Sequence, residues 1–175
     1  MANTWRTKIY GATPAPERDM LDLMNGSSST RIIRVTRMVN INIATVAQST
    51  MITYMQINRI TAVAGGDTVT PISHDTGNSA LNANTTSGTG RAITFPDNYV
   101  LRRYIFSFDD VTINLGTLKE WEMSINMNEV WNIGYGESSV RRLTLRAGQG
   151  VSFYHAGAVT VGSAAFEIEF LDEAS

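Results

Sequence analysis

Two histidines, a few carboxylates and a set of strand-borne arginines are the residues of this 175-residue chain whose types could do chemistry. His74 and His155 lie far apart, and neither belongs to a His-x-His or His-x-x-x-His pair, so the imidazole cluster of a metal-binding β-domain is missing. His74-Asp75 comes nearest to a ligand or acid/base pair, and its polar surroundings read as a solvated turn. There is no Gly-x-Ser-x-Gly elbow, and Gly88-Thr89-Gly90-Arg91 is too short to cradle a dinucleotide or triphosphate. Asp109-Asp110 has the chemistry of a calcium or carboxylate pair but falls between two strand candidates, where Asp stabilises turns. Glu120, Glu122, Glu167 and Glu169 could act in pairs only if their strands were neighbours; outward charge that blunts edge pairing is the simpler reading. With no cysteine there is no thiolate nucleophile, disulfide framework or cysteine metal site. The expectation is a protein without catalytic residues, metal or cofactor.

Arginines recur in or beside strand candidates: Arg34, Arg37, Arg102, Arg103, Arg141, Arg142 and Arg146. A guanidinium suits bidentate contact with a carboxylate across a subunit boundary, and cross-strand pairing within the chain is the bland alternative. Trp131 and Tyr135 sit in a Gly-containing stretch between strands, where they could stack on a sugar ring or fill an intersubunit pocket. For Trp131 a core contact is the ordinary reading.

The elements that must position these residues follow from composition and periodicity. Charged residues make up 17% of the chain and hydrophobic ones 43%, with Thr, Asn and Ser filling the difference, a balance that suits strands and turns in one well-cored domain. A net charge of -2 provides no basic field for nucleic acid. The N-terminus lacks a basic region followed by an apolar run, and no stretch is long enough to cross a bilayer as a helix, so a soluble protein without a standard export signal is expected.

From Arg31 the chain alternates with period two: Ile33, Val35, Val39, Ile41 and Ile43 are predicted on one face, Arg34, Thr36, Asn40 and Asn42 on the other. Further strands are predicted over 51–64, 99–108, 111–115, 121–127, 140–145, 151–154, 159–161 and 165–171, separated by short Gly- and Asp-marked connections. This pattern predicts an all-β fold, a single jelly-roll-like β-sandwich spanning 31–175. Residues 1–29 read differently. Pro16, Glu17 and Asp19 followed by Leu21, Leu23 and Met24 predict at most two turns of helix before Asn25-Gly26. Segment 5–13 reads as an arm lying on another surface or as an edge strand of the same domain. Residues 65–91, rich in Gly, Ser, Thr and Asn, read as a long loop and candidate contact surface.

The segment Arg141-Arg142-Leu143-Thr144-Leu145-Arg146-Ala147-Gly148-Gln149-Gly150-Val151, with the closing strand 165–170, resembles the C-terminal half of small jelly-roll structural proteins of tailed bacteriophages. The stretch from Arg59-Ile60-Thr61-Ala62 through Gly65-Gly66 to Thr70-Pro71 is similar to the same proteins. Together these cover most of 31–171, as a diffuse pattern and not a sharp motif. The resemblance implies a capsid decoration, or cement, protein: a homotrimer on the outer surface of the virion that contacts the major capsid protein and stabilises the expanded head. It would be made in the host cytoplasm, with neither nucleic acid nor membrane as partner. Under it, Trp5, Ile9 and Tyr10 become candidate arm contacts, and Arg102, Arg103, Arg141 and Arg142 candidate polar interface contacts. The alternative is a glycan- or receptor-binding jelly roll using Trp131, Tyr135 and the 65–91 loop. A small enzyme would need a convergent pocket holding both histidines.

Overall fold

The computed structural model describes residues 3–12, 15–42, 51–108, 127–132, 143–157 and 164–174. Fourteen strands occur in them: β1 (Asn3–Ala12), β2 (Arg18–Asn25), β3 (Arg31–Asn42), β4 (Met51–Ile60), β5 (Ala62–Ala64), β6 (Asp67–Thr68), β7 (Ile72–Ser73), β8 (Thr85–Thr89), β9 (Ala92–Thr94), β10 (Val100–Phe108), β11 (Met127–Asn132), β12 (Leu143–Leu145), β13 (Gln149–His155) and β14 (Ala164–Ala174). One sheet runs β11-β3-β14-β1-β7, with β12 also on β3; the other runs β10-β4-β13-β2-β8-β6. A small ladder, β5-β9, stands apart.

The principal strands give the expected jelly roll. The chain changes sheet from β1 to β2, from β3 to β4, from β10 to β11 and from β13 to β14, so β11-β3-β14-β1 faces β10-β4-β13-β2. Every ladder is antiparallel. Alternation explains the inner faces: Trp5 and Ile9 of β1 and Phe166, Ile168 and Phe170 of β14 meet Leu21, Leu23, Ile57, Val151 and Phe153 of the second sheet. The Phe153 and Phe166 rings lie 5.1 Å apart between the sheets.

Within 1–29 the described residues, 3–12 and 15–29, are not an arm with a helix. β1 is hydrogen-bonded along its length to β14 and on its other side meets β7 only at Trp5 and Arg6, so among the described residues the rest of it is an edge strand of the same domain. Residues 16–17 form a turn, with Glu17 at φ 50°, and the predicted helix is strand β2, paired with β13 and β8. A two-turn helix cannot nucleate alone and would bury one stripe. As a strand, the same segment satisfies its backbone on both sides and buries Met20, Leu21, Leu23 and Met24.

The predicted loop 65–91 is also corrected in part. It carries β6, β7 and β8, which extend both sheets by capping β1 and β2, and Ser87 and Thr85 are buried. Gly and Asn disfavour strands and the segment has few apolar residues to mark a buried face, but an open sheet edge supplies hydrogen-bond partners for its backbone. The alternation in β3 holds only to Val35. A bulge at Thr36, where the register to β14 shifts between Glu169 and Phe170, moves Met38 into the core and Val39 to the opposite face. Predicted strands 111–115 and 159–161 and most of 121–127 lie outside the described residues.

Packing in the second sheet is tight at Gly150, opposite Met24 and Ile60. A Cβ there would lie 2.7 Å from the Leu23 carbonyl oxygen and from Ile60 Cγ1, and 2.8 Å from Met24 Sδ. The carbonyl belongs to the ladder and cannot give way, so Gly150→Ala is expected to cost about 1–3 kcal/mol. A urea midpoint equal to wild type would show slack that the geometry does not contain.

Candidate functional site

The densest polar constellation among the described residues lies on the outer face of the second sheet, beneath the 61–99 insertion. Asp22 of β2, Ser152 of β13 and Asn58 of β4 are in register across three strands, and Gly88 of β8 continues the row. All three side chains are buried, each at 0% exposure. Asp19 joins them through a bulge: Leu21 pairs with Phe153 while Asp19 pairs with the next residue, Tyr154, leaving Met20 as the extra residue. Residues three apart fall on opposite faces of a regular strand; the inserted residue puts Asp19 and Asp22 on the same one.

The insertion closes over this pair. Gly90 N–H donates to the Asp19 carbonyl at 3.0 Å, and Thr89 Oγ1 to the Met20 carbonyl at 2.8 Å. The Arg91 guanidinium donates to Asp22 Oδ1 at 3.2 Å and to the Ser87 carbonyl at 2.9 Å, with 8% of its side chain exposed. It lies where a Cβ on residue 88 would be, so only glycine leaves it room. Ser152 Oγ lies 2.5 Å from Asp19 Oδ1. Burial, and then the Asp22 charge, pushes the Asp19 carboxyl up to about 9. Burial also raises Asp22, to about 6, opposed by its hydrogen bond with Asp19 and by Arg91. Two acids so poised have the makings of general acid–base chemistry, but buried under Arg91 they offer a substrate no approach.

A second feature is open. A groove of about 710 Å³ is lined by Tyr54, Met55, Gln56, Arg103, Tyr104 and Gly157, among others, and Arg103 also borders a 330 Å³ depression beside Asn98 and Tyr99. Tyr54 is 51% exposed, and a Cβ on residue 157 would stand 2.9 Å from its ring. The outer face of the first sheet carries self-paired charge instead: Arg37 lies 3.4 Å from Glu169, Arg34 2.6 Å from Glu173 and Arg6 3.8 Å from Glu167. Because β14 is central, Glu167 and Glu169 do not guard an edge; they alternate with arginines across strands. Burial and the neighbouring Glu169 raise the Glu167 carboxyl.

The residues singled out from sequence are dispersed. Trp5 is core, 9% exposed, and Ile9 is partly buried against the core, so neither is an arm contact. Tyr10 is exposed, with Lys8 Nζ donating to its hydroxyl at 2.7 Å. Arg102 and Arg103 are exposed on β10, the outermost described strand of its sheet. Trp131 lies on β11 opposite Met38. Arg141, Arg142, Tyr135, Asp109, Asp110, Glu120 and Glu122 lie outside the described residues.

The histidines occupy different elements. His74 N–H bonds to the Thr4 carbonyl at 3.1 Å in a turn where Gly77 N–H bonds to Asp75 Oδ1 at 2.8 Å. His155 ends β13, buried, its Nδ1 2.8 Å from the Ala15 carbonyl, and burial lowers its basicity. No group of three or more metal-ligating His, Asp or Glu side chains occurs among the described residues. No helix in them is long and apolar enough to cross a membrane.

No family model, curated protein or solved structure matches the chain. The acid pair escaped the sequence reading because its spacing fits a helix face and not a strand. The one available signal was a pair of acids inside an otherwise apolar run, Asp19-Met20-Leu21-Asp22-Leu23-Met24.

Proposed function

We propose that this is a non-enzymatic virion structural protein that binds the outer surface of a bacteriophage capsid as a homotrimer and stabilises the expanded head. The observation that carries the reading is the jelly-roll connectivity of the principal strands, which is the fold the sequence resemblance implies. Jelly rolls serve many roles, so the fold supports the reading without singling it out. Arg102 and Arg103, both exposed on the outermost described strand, add two guanidiniums of the kind that meet carboxylates across a subunit boundary. Weak contacts of each chain would be multiplied by trimer avidity on the lattice.

Removing 1–29 cannot test the idea, since it would delete β1 and β2, one strand from each sheet. The test is the solution mass by light scattering, followed by co-sedimentation with expanded phage heads lacking their decoration protein. Three times the 19.2 kDa chain mass and pelleting with heads are expected; a monomer that stays in the supernatant sinks the proposal. Arg102→Glu/Arg103→Glu is expected to weaken head binding about tenfold or more. A second reading, a glycan-binding module, draws on the groove with exposed Tyr54 beside Gln56 and Arg103. Saturable binding of an acidic oligosaccharide, lost in Tyr54→Ala, would favour it.

A further inference from the structure

We propose that the carboxyl groups of Asp19 and Asp22 hold a single proton between them and, with Arg91, latch the 61–99 insertion onto the second sheet as a strap that loosens in alkali. The cluster holds buried polar atoms without a partner: both amide atoms of Asn58 and one oxygen of each acid. Asp19 Oδ1 faces the Ser152 hydroxyl and Asp22 Oδ1 the Arg91 guanidinium, while Asp19 Oδ2 and Asp22 Oδ2 are buried with no side-chain donor from any third residue, and the two acids lie near enough to act on one another. Two orphaned buried oxygens on adjacent acids are costly as a doubly ionised pair, and a shared proton satisfies both.

Charge counting agrees. Two carboxylates and one guanidinium leave the buried cluster at net -1, and one proton makes it neutral. The groups facing the pair come from every element packed on it: Ser152 and Tyr154 from β13, Asn58 and Gln56 from β4, Gly88 from β8 and Arg91 from the insertion. Among these Arg91 is the cation. Glu17, which lies near Tyr154, is the further acid. The strap depends on the pair because Gly90, Thr89 and Arg91 all fasten to β2 at or beside Asp19 and Asp22.

The sign follows from linkage. Both acids are raised in the folded chain, so the stability they contribute is complete below the ordinary carboxylate range and is lost as pH rises through their folded values. Asp22 surrenders its share between the ordinary carboxylate range and about pH 6, and Asp19 from that same range up to about pH 9. His155, held neutral by burial, works in the opposite sense below its ordinary value, so the readout must be a difference between two proteins that both contain it.

Asp19→Asn is that comparison, because its amide can donate where the acid's proton did, at every pH. From denaturant titrations of both full-length proteins, the wild-type folding constant relative to the variant is expected to fall about tenfold per pH unit, roughly 100-fold between pH 6 and pH 8. Proteolytic cutting within 61–99 should accelerate over the same range in wild type only. A ratio that does not change with pH overturns the proposal. Should Asp19→Asn fail to fold, carboxyl carbon NMR of the wild-type chain decides: one aspartic acid still protonated at pH 7 supports the shared proton, and full ionisation of both Asp19 and Asp22 there refutes it.

Discussion

Phe153→Ala is expected to destabilise the protein by about 3–5 kcal/mol, a large part of the roughly 5–15 kcal/mol that holds a domain of this kind folded. Phe153 is fully buried at the centre of β13, flanked in register by Leu21 and Ile57, and its ring meets Phe166 of the other sheet at 5.1 Å. Truncation leaves a cavity that neither sheet can close, because each is pinned by ladders on both sides of the gap. Phe153→Leu keeps most of the volume and should cost only about 1 kcal/mol. Denaturant midpoints of the two variants test this; near-equal losses would mean that ring–ring contact, and not volume, dominates the centre of the sandwich.

Arg91→Met should be nearly as damaging for an electrostatic reason, at about 3–5 kcal/mol near neutral pH. The substitution keeps much of the apolar stem over Gly88 but removes the cation 3.2 Å from Asp22, leaving that carboxylate buried without its counter-charge. Asp22 can escape by taking up a proton, so the loss should shrink as pH falls below about 6, where the carboxyl is already neutral in the wild-type fold. The double variant Arg91→Met/Asp22→Asn removes both charges and should recover most of the stability. A four-protein cycle measured by urea unfolding reads the coupling directly, and additive single losses would show that Arg91 and Asp22 do not depend on each other.

Local alternation was readable wherever a strand packs one face on the core. Phe166, Ile168 and Phe170 against Glu167 and Glu169 declare β14, and Ile33 with Val35 begins β3, because period-two burial writes itself into the order of residues. Segment 18–25 hid its nature because β2 is covered on both faces, by the core inside and by the insertion outside, and the bulge at Met20 breaks what period the buried residues would show. Residues 85–89 hid theirs because Thr-Thr-Ser-Gly-Thr becomes a strand only when an edge is there to receive it.

Composition and spacing by themselves therefore determined the class of this protein: all-β, cysteine-free, with many short strands and no motif for metal or nucleophile. The tertiary structure alone decided the constellation that matters most. A one-residue bulge at Met20 reverses the phase of β2, so Asp19 and Asp22 face the same way, and the chain returns about seventy residues later to bring Arg91 over them. Such a site depends on the register of four strands from distant parts of the chain. Register is set by the packing of the whole sheet and is not carried by any local stretch of residues.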